Sequence, residues 1–198
     1  QRPTEESTIR VALARGLLRA GEPLRALPHT HDAPLLRARA LLDAGNLDAA
    51  VALIAGTAVP VGGGDNLERE RMLARVDWVR GDYDSGLARL SGTEAADDLL
   101  RAVLLGAAGR TEVAKSTLER AVSRIDEREQ PFLLAATLIA QSDLLRRGGD
   151  RASARSVVER ALQIFRRLGN AHASASAALN LGVLAKDLGD LGEAREQL

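Results

Sequence analysis

Small, polar and apolar residues keep fixed distances from one another along this chain. Six times a Gly followed by a polar or charged residue interrupts a helix-forming stretch. The phrases are "GEPLRA", "GNLDAA", "GDYDSG", "GRTEVA", "GDRASA" and "GDLGEA", beginning at Gly21, Gly45, Gly81, Gly109, Gly149 and Gly189. Seven residues before each Gly stands a small side chain: Ala14, Ala38, Ala74, Ala102, Ser142 and Gly182. Five residues after it stand Ala26, Ala50, Gly86, Ala114, Ala154 and Ala194. Nine after it, five of the six phrases have an apolar residue (Ile54, Leu90, Leu118, Val158 and Leu198), with Thr30 the exception.

This pattern predicts helical hairpins. A Gly in the left-handed conformation closes one helix, and a following Asp, Asn or Thr can accept from the free N–H groups that open the next. Small residues at matched points let two helix backbones approach closely, and a Leu there would overpack the contact at a cost of ~1–3 kcal/mol. The position nine residues after the Gly is expected to face the next hairpin. No segment of the chain requires a strand.

With these residues in place the chain resembles the tetratricopeptide repeat family, whose pattern has a small residue at repeat position 8, Gly at 15 and Ala at 20. Repeats would begin near Ser7, His31, Leu67, Ala95, Ala135 and Ala175, and the last, "LNLG" followed by "GDLGEA", fits best. The resemblance implies an all-α, right-handed solenoid of about six antiparallel helix pairs. It is read as one domain over residues 1–198: short irregular repeats in 1–56, a Gly- and Pro-rich loop "TAVPVGGGDN" over 57–66, and the remaining repeats in 67–198. Leu198 falls where a second helix should turn its apolar face to a following hairpin, so the last repeat is expected to be truncated and the chain a piece of a longer protein.

The spacing is irregular, with successive phrase Gly residues 24, 36, 28, 40 and 40 apart. The short intervals predict clipped second helices that stop at Pro28 and in "RLSGT" (89–93). The long intervals predict nearly one extra turn per helix, with two long helices meeting at Gly169-Asn170. Lengthened repeats of this kind resemble those of large bacterial transcriptional activators of the maltose-regulator and antibiotic-regulator types.

Composition narrows the function. Hydrophobic residues make up 45% of the chain and aromatics 2%, so its core must be built from Leu, Ala and Val. The 27 basic residues cancel the 27 acidic ones, which leaves no excess positive charge for direct nucleic-acid or membrane binding. Cysteine is absent, which removes disulfides, thiolate metal sites and cysteine nucleophiles. The longest apolar run, "PFLLAATLIA", is half of the ~20 residues a membrane span needs, and a cytoplasmic setting fits.

Catalytic chemistry finds no purchase. His29 and His31 flank a turn and His172 is distant in sequence, with no HExxH or nucleophile-elbow spacing. "VGGGDN" lacks the Lys-Ser/Thr that follows a phosphate-binding loop and is expected to be a connector. No cofactor or metal site is expected, and the chain is expected not to be an enzyme.

In the resembled family the first helix of each repeat lines the concave face, with positions 2, 5, 9 and 12 directed into it. Position 9 is Arg15, Arg39 and Arg75 in the first three repeats, then Val103, Asp143 and Val183. The three arginines, extended by Arg19 and Arg71, would form a basic ladder for an acidic peptide or anion, unless they pair with Glu68, Asp43 and Asp77. In the second half the same face carries Ile139, Leu179 and Val183 beside Asp143, Arg146, Asn180 and Lys186, a mixture suited to a partner helix or extended peptide. The resemblance places Asn180 where family members hold a peptide backbone. Trp78 is expected to pack between repeats.

The expected function is therefore a non-catalytic protein-interaction module, the regulatory segment of a bacterial transcriptional regulator. Its groove would hold a protein, a peptide or another domain of the parent protein. The alternative is a sensor that takes a small-molecule inducer in the groove.

Overall fold

The computed structural model describes residues 5–59 and 63–189. Among these the chain forms eleven α-helices and no strand, in two compact units, Gln1–Ser91 and Gly92–Leu198. The break between the units lies in "RLSGT".

The first unit pairs α1 (Glu5–Arg19) with α2 (Pro23–Ala26), α3 (Pro34–Asp43) with α4 (Leu47–Gly56), and α5 (Gly64–Arg80) with α6 (Tyr83–Arg89). The second pairs α7 (Ala95–Ala107) with α8 (Thr111–Arg124) and α9 (Pro131–Arg147) with α10 (Arg151–Arg167), and α10 packs in turn on α11 (Ala171–Leu188).

The turns are built as expected. All six phrase glycines are left-handed, with φ between 77° and 85°. In the first five turns the residue after the Gly donates its N–H to the carbonyl five residues back, as in Asn46 to Leu41 and Asp82 to Asp77, both 2.8 Å. That bond satisfies a carbonyl the helix end would otherwise leave open. The expected side-chain caps form at Asn46, which accepts from Ala49 N–H, and at Asp150, which accepts from Ser153 N–H. Asp82 opens α6 without a side-chain cap. Pro23, Pro34 and Pro131 each occupy the first position of a helix, where the missing N–H has no bond to lose.

The matched small residues are buried wherever they are described, from Ala14, Ala38, Ala74 and Ala102 on the first helices to Ala26, Ala50, Ala114 and Ala154 on the second. Ala194 and Leu198 lie outside the described residues. The position nine residues after the Gly is also buried at Thr30, Ile54, Leu90, Leu118 and Val158. Thr30 is no exception in packing, because its hydroxyl donates to the Leu27 carbonyl at 2.8 Å and the group enters the core already satisfied.

Helix lengths follow the spacing. α2 has 4 residues and gives way to a 3-10 turn at Leu27–His29 that contains Pro28, while α6 has 7. α9, α10 and α11 have 17, 17 and 18 residues, with Gly169 (φ 66°) and Asn170 between the last two. One boundary differs from expectation. α5 begins at Gly64, so residues 64–66 are helical: extended Gly63 opens the helix, and Asp65 in its first turn favours its N-terminal dipole. Pro60, Val61 and Gly62, part of the connector, lie outside the described residues, as does the expected truncation of the last repeat at Leu198.

In the second unit, Leu134, Leu138, Val158, Leu162, Ile164, Phe165, Leu181 and Leu184 form one core that joins α9, α10 and α11. Phe132 and Phe165 add a tilted ring pair with centroids 5.5 Å apart. α7 also meets α9, where a Cβ on Gly106 would stand 2.9 Å from Leu144 Cδ2, so the bare backbone makes room for the Leu.

Candidate functional site

The expected site residues lie on the first helices of the pairs, in both units. In the first unit Arg15 is on α1, Arg39 on α3 and Arg75 on α5. Asp43 stands between two of them: its Oδ1 accepts from Arg75 Nη2 at 2.9 Å, and its Oδ2 lies 3.8 Å from Arg39 Nε. One carboxylate thus screens two of the three guanidinium groups. Arg15 is exposed and makes no ion pair among the described residues, whereas Arg19 and Arg71 are engaged in interactions of their own. Asp77 pairs with Arg89, Nε to Oδ2 at 2.6 Å, and not with the expected ladder. Arg89 reaches Glu70 as well, at 3.2 Å, and the two carboxylates hold its guanidinium above the ordinary arginine pKa, through the Asp77 hydrogen bond first.

In the second unit Asp143 on α9 is held within its own helix by Arg146 at 3.0 Å and Arg147 at 2.8 Å. This local pairing takes up much of the charge expected to face a ligand. Half-buried Ile139 lies one turn before Asp143. On α11, Leu179 and Val183 are one turn apart and remain 52% and 39% exposed. Asn180 is half-buried and its carboxamide makes no hydrogen bond among the described residues; Lys186 is exposed. α9 and α11 both pack on α10 and share its core.

Trp78, expected to pack between repeats, keeps 43% of its surface exposed at the end of α5. His29 falls in the 3-10 turn, and exposed His31 accepts from Arg37 at 3.3 Å through Nδ1. His172 is exposed in the first turn of α11. No group of three or more His, Asp or Glu among the described residues is placed to hold a metal ion, and no described helix is long and apolar enough to cross a membrane.

Two charged clusters of the second unit escape sequence reasoning. Asp98 on α7 is buried and receives Arg101 at 2.6 Å, Arg120 through two bonds, and Arg124 at 3.2 Å. Arg101 also donates to the Gly92 carbonyl and Arg124 to that of Thr93, so the cluster ties the 92–93 segment to α7 and α8. The Arg120 hydrogen bond, and then the nearby positive charges, hold the Asp98 carboxyl below its ordinary pKa against the opposing effect of burial.

In the second cluster Glu127, between α8 and α9, accepts from Arg160 and Arg167 of α10, each at 2.9 Å. Those bonds lower its pKa, Arg167 contributing most. The Arg101–Asp98 spacing of three is the only trace in the sequence; the other pairs lie 22 to 40 residues apart.

A search of curated proteins gives no match for this chain. The family model described as tetratricopeptide repeat matches residues 35–55, covering most of α3 and α4, and residues 175–198, from α11 onward. At those two stretches, one in each unit, the chain is similar to tetratricopeptide repeats, and the matches support an array of such repeats.

Proposed function

We propose that this chain is a protein-interaction module that holds a polypeptide partner on the first-helix face of its second unit. The observation that carries this is the exposed apolar pair Leu179 and Val183 on α11, flanked by Asn180 and Lys186. Two apolar side chains one turn apart, with an unengaged carboxamide and a cation beside them, give a peptide an anchor, a main-chain partner and a charge to align against. Asp143, held by Arg146 and Arg147, leaves a net positive fringe on α9, which favours an acidic residue in the ligand.

The finer part of this proposal is a role as the regulatory segment of a bacterial transcriptional regulator in the cytoplasm. It is supported by the 17- and 18-residue helices α9 to α11, whose length resembles that of the lengthened repeats in such activators.

Panning a library of peptides of about ten residues against the whole chain tests the interaction. Enriched peptides should share an apolar anchor and lose binding to Leu179→Asp and Val183→Asp, while Leu24→Asp, on an exposed site of the first unit, retains it. Asn180→Ala should cost about 0.5–1.5 kcal/mol of affinity. If no peptide is enriched, or the α11 variants bind as well as the parent, the peptide-binding proposal fails. Saturable thermal stabilisation by a metabolite, lost in the same variants, would replace it with inducer sensing.

A further inference from the structure

The second helices of the array carry a different surface. Arg160, Ile164 and Arg167 lie on one side of α10, spaced i, i+4 and i+7, so the two guanidinium-bearing residues start ~10.5 Å apart along the axis. Glu127 reaches from the connection between α8 and α9 and bridges them, with one bond from Nη2 of each. A guanidinium has five N–H donors. Arg160 and Arg167 each spend one on Glu127, and their side chains remain 55% and 67% exposed.

Two contiguous hollows of about 560 and 480 Å³ open at this point and share Glu127, Ile164 and Arg167. Arg166 lines one and Arg128 the other; both are exposed, and neither side chain makes an ion pair among the described residues. Four guanidinium groups therefore face one carboxylate, in a chain whose overall charge is zero.

The remaining acids of this connection do not restore the balance. Asp126 is occupied in accepting from the backbone N–H groups of Arg128 and Glu129, and neither Asp126 nor Glu129 lines the hollows. The apolar lining is also specific. Buried Ile164 is shared by both hollows, with Pro131 and partly exposed Leu168 beside it in the second.

We propose that the cleft formed by Glu127, Arg128, Arg160, Ile164, Arg166 and Arg167 is a second docking surface, for an acidic protein segment carrying an apolar anchor residue. Carboxylates of the segment take the spare donors of Arg160 and Arg167 in two-pronged bonds, and its apolar residue settles against Leu168 and Pro131, which keep surface open to solvent. Glu127 acts as a resident competitor: it holds the guanidinium groups at the right separation while the cleft is empty and partly offsets their attraction for the ligand. The apolar contact that Leu168 and Pro131 offer beside the guanidinium groups favours a polypeptide with an apolar side chain over a nucleic-acid backbone, which has none. None of its lining residues belongs to α11.

The test uses fluorescence anisotropy on the whole chain. The probe is a labelled peptide of about ten residues with Glu on both sides of a central Leu pair; a Gln-for-Glu version and a short DNA duplex serve as comparisons. The Glu peptide should bind saturably at about 50 mM salt and weaken as salt rises. Arg160→Gln with Arg167→Gln should weaken it by about tenfold or more, and Glu127→Gln should tighten it. Leu179→Asp should leave it unchanged, which separates this surface from the α11 face. Circular dichroism of each variant guards against loss of fold. The proposal is overturned if the Glu peptide shows no saturable binding, if the Arg pair does not weaken it, or if the Gln peptide binds equally. It is likewise overturned if the duplex binds more tightly and is lost in the same Arg variant, which would make the cleft a phosphate surface.

Discussion

Arg120 meets Asp98 through two parallel bonds, Nε to Oδ2 at 2.9 Å and Nη2 to Oδ1 at 2.8 Å, and holds α8 to the first turn of α7. Asp98→Asn should destabilise the second unit by about 1.5–3 kcal/mol, the range for hydrogen bonds to a charged group, because half-exposed Arg120 and Arg124 regain water when released. The pH dependence has a definite sign. The folded pKa of Asp98 lies below the ordinary 3.8, so its stabilisation is complete above that value and is lost as pH falls through it toward the lowered one. Urea unfolding of parent and variant at neutral pH and near pH 3 should therefore show the gap between them closing in acid. A gap that stays constant would remove the ion pairs as its cause.

Gly92 and Asp97 leave no room for each other's growth. A Cβ at Gly92 would lie 2.2 Å from Asp97 Oδ2 and 2.6 Å from its Cγ, and Asp97 is buried, with that oxygen accepting from Glu94 N–H at 3.0 Å. Gly92→Ala should cost about 1–3 kcal/mol by displacing this cap. Gly16→Ala, at an exposed position of α1 where a Cβ meets nothing, should instead stabilise by roughly 0.5–1 kcal/mol. Thermal unfolding of both variants compares the two directions; equal shifts would sink the steric account.

The Asp43–Arg75 contact joins α3 to α5, but both side chains keep access to water. A double-mutant cycle with Asp43→Asn and Arg75→Gln should give a coupling of only about 0.2–1 kcal/mol, and less at high salt. A much larger coupling would mean that these charges hold the first unit together.

Asn170 is buried between α10 and α11, and its side chain accepts from Ala173 N–H at 2.8 Å. Asn170→Ala should cost about 1–2 kcal/mol, and Asn170→Asp should recover part of it, since either side chain can cap. Chemical denaturation distinguishes this from a simple cavity, for which Asp would do no better than Ala.

What the sequence made legible is local. A left-handed turn needs Gly and a close helix crossing needs a small side chain, so Gly45 with Ala38 and Ala50 announces a hairpin without any knowledge of the rest. Pro28 and "RLSGT" likewise gave the short second helices. The boundary at Gly64 was missed because a Gly-rich run reads as loop until Asp65 is seen inside a first turn. The Arg39–Arg75 ladder was legible as a register, but its screening by Asp43 depends on which neighbours the long side chains reach. Apart from Arg101, three residues from Asp98, the Asp98 and Glu127 clusters join residues more than twenty positions apart, and no local pattern encodes those pairs.

The unequal helices have a consequence for motion. α2, with 4 residues, is a single turn that cannot persist apart from the helices it touches, whereas α9 to α11 each exceed four turns around one continuous core. Amide protons should accordingly exchange with solvent fastest around residues 23–29 and slowest in the middle of α10, which is covered on both sides. The chain carries its most durable segment beside the surfaces proposed for binding and its most readily opened hairpin in the other unit.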